Sequence, residues 1–197
     1  IDQDYPRVII DNHSQIPDRT KAILHSGPTP LDRMLESVQL FNHVKVTHAF
    51  VACFTAHHFI EELRQQANFT MLSVFEILDE YLQAHPEINK IGIIATSGAK
   101  RVGLFDRHLD RAIVLYPDDK HQTMIMDAIY HNEHGIKANK VTPTTISWID
   151  QTATSLLDQG ADVLIAGCTE IGLIMDRLDH KERWLDPMVL IVDRLLD

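Results

Sequence analysis

At 197 residues, 45% of them hydrophobic and 23% charged, the chain can bury one large core or fold as two small α/β lobes sharing a cleft, which excludes a disordered protein. Eighteen Lys and Arg stand against 28 Asp and Glu, a formal net charge of −10, and the basic residues are scattered singly, so the attraction that a nucleic-acid surface needs is missing. No apolar run approaches the roughly 18 residues of a membrane span, and no basic stretch leads into an apolar one, so a soluble, cytoplasmic protein is expected, with no nucleic acid and no membrane as partner.

Apolar runs of strand length alternate with segments of helical period. In chain order the pattern predicts a strand at 7–11, a helix at 30–41, a strand at 48–53, a helix at 57–67, a strand at 70–74 and a helix at 75–84. It continues with strands at 90–96, 112–116 and 161–167 and helices at 102–109, 120–131 and 145–159. Pro30 and Pro143 fall near helix starts, where a missing N–H costs little, and Gly135 and Gly160 fall just past helix ends, where a positive φ is favoured. Ile91, Ile93 and Ile94, like Val163, Leu164 and Ile165, form continuously apolar strands, as strands covered on both faces should. The expected fold is α/β, with two similar doubly wound lobes whose parallel sheets face a central cleft.

The halves resemble each other. His48 to Cys53 and Val163 to Cys168 are both apolar strands closed by a small residue and a cysteine. Pro86 and its polar neighbours interrupt the pattern, which divides the chain into a first lobe at 1–86, a second at 87–180 and a C-terminal helix at 181–197 returning to the first lobe. In the second lobe the cysteine ends the third strand, whereas in the first it ends the second visible one. A further β-α unit of about 30 residues is therefore expected ahead of Ile1.

With two cysteines in all, no disulfide framework is expected. Ligands of open α/β sheets bind beyond the carboxyl ends of the strands, where Cys53 and Cys168 both sit, each followed by a helix whose N-terminus favours a thiolate. Two such thiols across a cleft make a pair of acid/base groups, although buried cysteine is also a common small core residue.

Cys53-Phe54-Thr55-Ala56-His57 and Gly167-Cys168-Thr169-Glu170 resemble the paired cysteine motifs of the cofactor-independent aspartate/glutamate racemase family, and Glu170 in place of histidine is similar to its aspartate racemase branch. Ile16-Pro17-Asp18-Arg19-Thr20, Ile94-Ala95-Thr96-Ser97-Gly98, Ala128-Ile129-Tyr130 leading to Gly135-Ile136-Lys137-Ala138, and Leu185-Asp186-Pro187-Met188 resemble further family segments in the same order. The resemblance implies an amino-acid racemase for aspartate or a related acidic amino acid. Cys53 and Cys168 would serve as the two bases, Arg19 and Lys137 would hold the side-chain carboxylate, and Thr55, Thr96 and Thr169 would lie around the α-carboxylate. Glu170 would meet the substrate ammonium or sit favourably in the first turn of its helix. It also implies no cofactor and a homodimer. Two positions depart from the family pattern, Phe54 where asparagine is usual and Ala99 where threonine is usual, and both remove a polar contact to substrate.

Rival readings are a decarboxylase or isomerase of the same superfamily and a catalytically silent binding or assembly protein. Twelve histidines invite a metal, with Asp127, His131 and His134 at helical spacing, but an exposed polar helix end is the expected outcome and no metal site is assigned. His57, four residues after Cys53, invites a Cys–His hydrolase, a reading that leaves Cys168 idle. No Gly-x-Gly-x-x-Gly or Walker-type loop supports a nucleotide, and no lysine context implies pyridoxal phosphate.

Overall fold

The computed structural model describes residues 1 and 5–196. Asp18 caps α1 (Arg19–Ile23) by accepting the Lys21 N–H, and α2 (Leu31–Val44) follows, ended by Lys45 in the left-handed conformation. β1 (His48–Phe50) passes through a 3₁₀ turn at Thr55–Phe59 into α3 (Ile60–Gln66), and β2 (Thr70–Leu72) passes directly into α4 (Val74–Ala84), capped by Ser73. Next come β3 (Lys90–Ile94), α5 (Ser97–Arg101) capped by Thr96, α6 (Leu104–His108) and β4 (Ile113–Leu115). α7 (Asp119–Tyr130) and a 3₁₀ turn at Ile136–Ala138 lead to α8 (Pro143–Asp158), which opens on a Thr142–Thr145 capping box with Pro143 in the first turn. β5 (Val163–Ala166), α9 (Thr169–Gly172), β6 (Trp184–Leu185) and α10 (Pro187–Leu196) complete the described chain.

All strand pairs are parallel. One sheet pairs β1 with β2, and the other has the order β4-β3-β5-β6, with Ile91 opposite Val163 and Ile94 opposite Ala166. Alternation along β3 and β5 feeds two cores. Ile91, Ile93 and Ile165 pack with Phe75, Leu78, Phe105 and Ile191, while Ile94, Leu164 and Ala166 pack with Ile125, Ile129, Ile149 and Leu156 of α7 and α8. α10 lies against α4, where Arg194 pairs with Glu80. Among the described residues no helix is long and apolar enough to cross a membrane.

Several elements differ from the sequence expectation. Residues 7–11 join no strand ladder, and Val8 and Ile10 are 71% and 84% exposed. An extended run becomes a strand only when a neighbour takes its N–H and C=O groups, and β1 is paired on one edge only, whereas β5 lies between β3 and β6. The helix expected at 102–109 is shortened to α6, and α5, which the pattern does not predict, precedes it, the two being separated by Gly103 in a left-handed conformation. Gly160 has the expected positive φ, but Gly135 does not. What Gly135 supplies is room, since a Cβ there would fall against the His131 carbonyl.

Candidate active site

The chain turns sharply after each cysteine-bearing strand. The Cys53 N–H donates to the Val51 carbonyl at 2.7 Å, and the Gly167 N–H donates to the carbonyls of Ile165 and Ile94 at 2.8 and 3.0 Å. A side chain at Gly167 would collide with Phe105 and Ala95, so glycine lets the end of β5 close against the end of β3 and fixes where Cys168 emerges. Both thiols are free, and both line a cavity of about 120 Å³ at the carboxyl ends of β1, β3 and β5. All eight residues singled out from the sequence line it: Cys53, Cys168, Arg19, Thr55, Thr96, Thr169, Glu170 and Lys137. A larger open groove of about 960 Å³ runs along α8 past Asp150 and Asp158 and holds neither cysteine.

The polar groups of the cavity form two chains. In the first, Cys168 Sγ donates to Glu170 Oε2 at 2.9 Å, the Thr169 hydroxyl donates to the same oxygen at 3.1 Å, and Lys137 Nζ lies 2.6 Å from Oε1. Glu170 does sit in the first turn of α9, and its two oxygens are engaged by protein donors. Burial pushes the Cys168 thiol up, and the Glu170 charge and hydrogen bond push it further the same way. Burial opposes the Glu170 charge, yet donation from Cys168 and Lys137 holds this carboxyl below its usual range, and the same pairing raises Lys137 against its own burial.

The second chain has no counterpart in the sequence pattern. The Tyr130 hydroxyl donates to Asp18 Oδ2 at 3.1 Å, while Asp18 Oδ1 caps α1 and so fixes the backbone that carries Arg19. Burial raises Tyr130, and its ring lies 5.4 Å from Lys137 Nζ. The Arg19 guanidinium donates to the Pro17 carbonyl at 3.2 Å and, despite the cost of burial, is raised by contact with Cys53 and by Asp18. Thr55 and Thr96 share a hydrogen bond of 2.9 Å, and Thr96 also caps α5. Asp18, Thr20 and Tyr130 are thus cavity residues to which sequence reasoning assigns no role. Asp18 carries a readable signal, an aspartate in N-cap position one residue before Arg19.

Three expectations need correction. His57 does not touch the thiol of Cys53. Its Nε2 accepts the Val74 N–H at 3.2 Å, which leaves the ring proton on Nδ1 to donate to the Cys53 carbonyl at 3.0 Å, so this imidazole ties the β1 turn to α4. Phe54 touches the cavity, but the residue is 1% exposed and its ring packs in the core against Phe75 and Phe105. Ala99 is fully buried in the same core and does not line the cavity. The histidines of the metal reading are engaged elsewhere: His131 Nδ1 accepts the Glu133 N–H, and His134 Nδ1 shares a hydrogen bond with Thr142.

Burial lowers His57 from 6.5 to about 4. Between these values the unfolded chain binds a proton that the folded chain refuses, so stability is full above pH 6.5 and is lost as the pH falls towards 4, by about 3 kcal/mol in all. Urea unfolding between about pH 7 and pH 4 should therefore show a steeper loss for the native chain than for His57→Asn. Equal slopes would mean that His57 is not held neutral.

The Asp/Glu/Hydantoin racemase profile matches residues 1–195. The fold superposes on Picrophilus torridus aspartate racemase with a TM-score of 0.72 at 19% identity, covering 95% of this chain and 77% of that one. An aspartate racemase homologue from Pyrococcus horikoshii gives 0.68 at 14% identity over 85% and 73%. A glutamate racemase from Bacillus anthracis gives 0.63 at 17% identity over 90% and 65%. At these identities the superpositions speak to the fold. A protein from the 3′ region of pnlA in Pectobacterium carotovorum subsp. carotovorum is 26% identical over 118 residues, 59% of this chain and 75% of that one. With the profile spanning nearly every residue, the chain belongs to the Asp/Glu/Hydantoin racemase family.

Proposed function

We propose that the protein racemises aspartate or a closely related acidic amino acid by a two-base mechanism, without a cofactor, with Cys53 and Cys168 as the bases. The observation that carries this reading is the pair of free thiols lining one small cavity together with Arg19 and Lys137. Inversion at carbon needs a base on one face and an acid on the other, because a single base that returns its own proton favours retention. Each positioned proton transfer contributes about 10²- to 10⁴-fold. The remaining acceleration comes from stabilising the carbanion through its carboxylate, a role for which the Thr55, Thr96 and Thr169 hydroxyls lining the cavity are the candidates. The planar Arg19 guanidinium suits a second carboxylate, which favours a dicarboxylic substrate.

The test is chiral chromatography of L- and D-aspartate, glutamate and alanine incubated with the protein. Conversion of aspartate well ahead of alanine is expected; no conversion of any of them, or alanine turned over as fast as aspartate, refutes the reading. Within it, Arg19→Ala should raise KM for aspartate about 10- to 100-fold, the equivalent of one charge-assisted bond of about 1.5–3 kcal/mol, with little effect on a neutral amino acid. Equal losses on both would make Arg19 a fold residue.

A further inference from the structure

The two thiols of the cavity have different surroundings. Cys168 points its S–H at a carboxylate, Glu170 Oε2, 2.9 Å away, and that carboxylate is only 16% exposed. Cys53 instead shares the cavity with Arg19, a charge of the opposite sign. We propose that Glu170 is a positioning residue that keeps Cys168 in its thiol form, so that the resting site is polarised with Cys168 as proton donor and Cys53 as proton acceptor, and that Lys137 sets the strength of this hold. The proposal rests on the racemase reading for its catalytic consequence, although its electrostatic core does not depend on turnover.

In the direction that begins with Cys53 as the base and the Cys168 S–H as the donor, Cys53 acts first. It takes the α-proton, the C–H electron pair stays on carbon, and the Cys168 S–H gives its proton to the opposite face. Cys53 is then a thiol and Cys168 a thiolate. This second form sets two negative charges side by side, at Cys168 and Glu170, with Lys137 as the cation that offsets them. The other groups facing the pair are Cys53 with Arg19, and Tyr130 with its partner Asp18. The ordinary titration of the Cys168 thiol is displaced upward by burial and by Glu170, in keeping with the hydrogen-bond geometry.

A population bias of this kind has a kinetic signature. The enantiomer whose α-hydrogen faces Cys53 meets the abundant form of the protein, whereas its mirror image must find the minor form and shows a raised apparent KM. Because racemisation has an equilibrium constant of unity, kcat/KM must be the same in both directions. The second enantiomer therefore combines a higher KM with a proportionally higher kcat.

The experiment exploits the presence of only two cysteines, since Cys53→Ser leaves Cys168 as the sole thiol. In that background the rate of iodoacetamide alkylation, followed by intact mass against pH, reads the titration of Cys168 directly. Adding Glu170→Gln should move the midpoint down by about 1–3 pH units, and adding Lys137→Gln should move it up. These opposite signs separate an electrostatic hold from a general loosening of the site, which would shift both variants the same way. A midpoint unmoved by Glu170→Gln, or moved the same way by both substitutions, overturns the proposal; if Glu170→Gln does not fold, an unmoved midpoint in Lys137→Gln does so. In the chain with both cysteines, Glu170→Gln should lower KM and kcat together for one enantiomer and raise them for the other. If the midpoints shift as expected while no amino acid is racemised, the polarised thiol stands and the racemase reading falls. If amino acids are racemised while the midpoints stay unmoved, the racemase reading stands and the polarised thiol falls.

Discussion

Cys168→Ala should abolish racemisation while leaving exchange of the α-hydrogen with deuterated water for one enantiomer only. On the two-base proposal Cys53 remains and can still remove the proton from the face it meets, but with no donor on the other side the carbanion takes deuterium back on the face it lost hydrogen from. Cys53→Ala should likewise abolish inversion, and its residual exchange should belong to the mirror-image enantiomer and rise only at higher pH, because Cys168 begins as a thiol hydrogen-bonded to Glu170. The loss of inversion should be at least on the order of 10²- to 10⁴-fold for either substitution, the size of one positioned proton transfer. The two losses should not multiply, because the groups act as a unit. Loss of the α-proton signal by nuclear magnetic resonance, read beside chiral chromatography of the same samples, separates exchange from inversion. Undiminished racemisation by either alanine variant would refute the two-base assignment outright.

The cysteines are legible in the sequence because parallel strands alternate with helices on the scale of a few turns, and the strand ends where ligands bind can be read from where the apolar run stops. Thr96 and Thr169 come from the family resemblance, and the structure sets each at the start of a helix after a strand. What the sequence conceals are contacts between distant segments. Tyr130 and Asp18 are 112 positions apart, and only the docking of α1 near the end of α7 joins them. Glu170 is visible as an acidic residue in a first helical turn, but not that its carboxylate turns back onto the thiol two residues before it. The segment at 7–11 departs from its pattern for a related reason, since a period of two describes what a run can do and pairing depends on the neighbour it meets. His57 likewise reads as a partner for the Cys53 thiol by spacing alone. The N–H of Val74 takes one of its nitrogens, and the Cys53 carbonyl takes the other.

Phe54→Asn should unfold the protein rather than improve it. Asparagine is the family's usual residue beside the first cysteine, so on sequence grounds the change would restore a polar grip on substrate. In the structure, however, the Phe54 ring sits 6.0 Å from the Phe75 ring and 6.1 Å from that of Phe105, at the point where the turn after β1 meets α4 and α6. Removing a buried phenylalanine costs about 3–5 kcal/mol through lost transfer energy and the cavity left behind. Leaving an amide there without partners adds about 1–3 kcal/mol. Set against a typical total stability of about 5–15 kcal/mol, the sum removes most of what holds such a domain together. Phe54→Leu keeps an apolar filling and should cost far less, so urea unfolding of the two variants should differ by several kcal/mol, and on the proposed racemase reading Phe54→Leu should retain turnover because the Phe54 ring packs into the core. A stable Phe54→Asn protein with increased kcat/KM for aspartate would mean that position 54 faces the substrate in the working enzyme, and that the ring stack with Phe75 and Phe105 is not what fixes the turn beside Cys53.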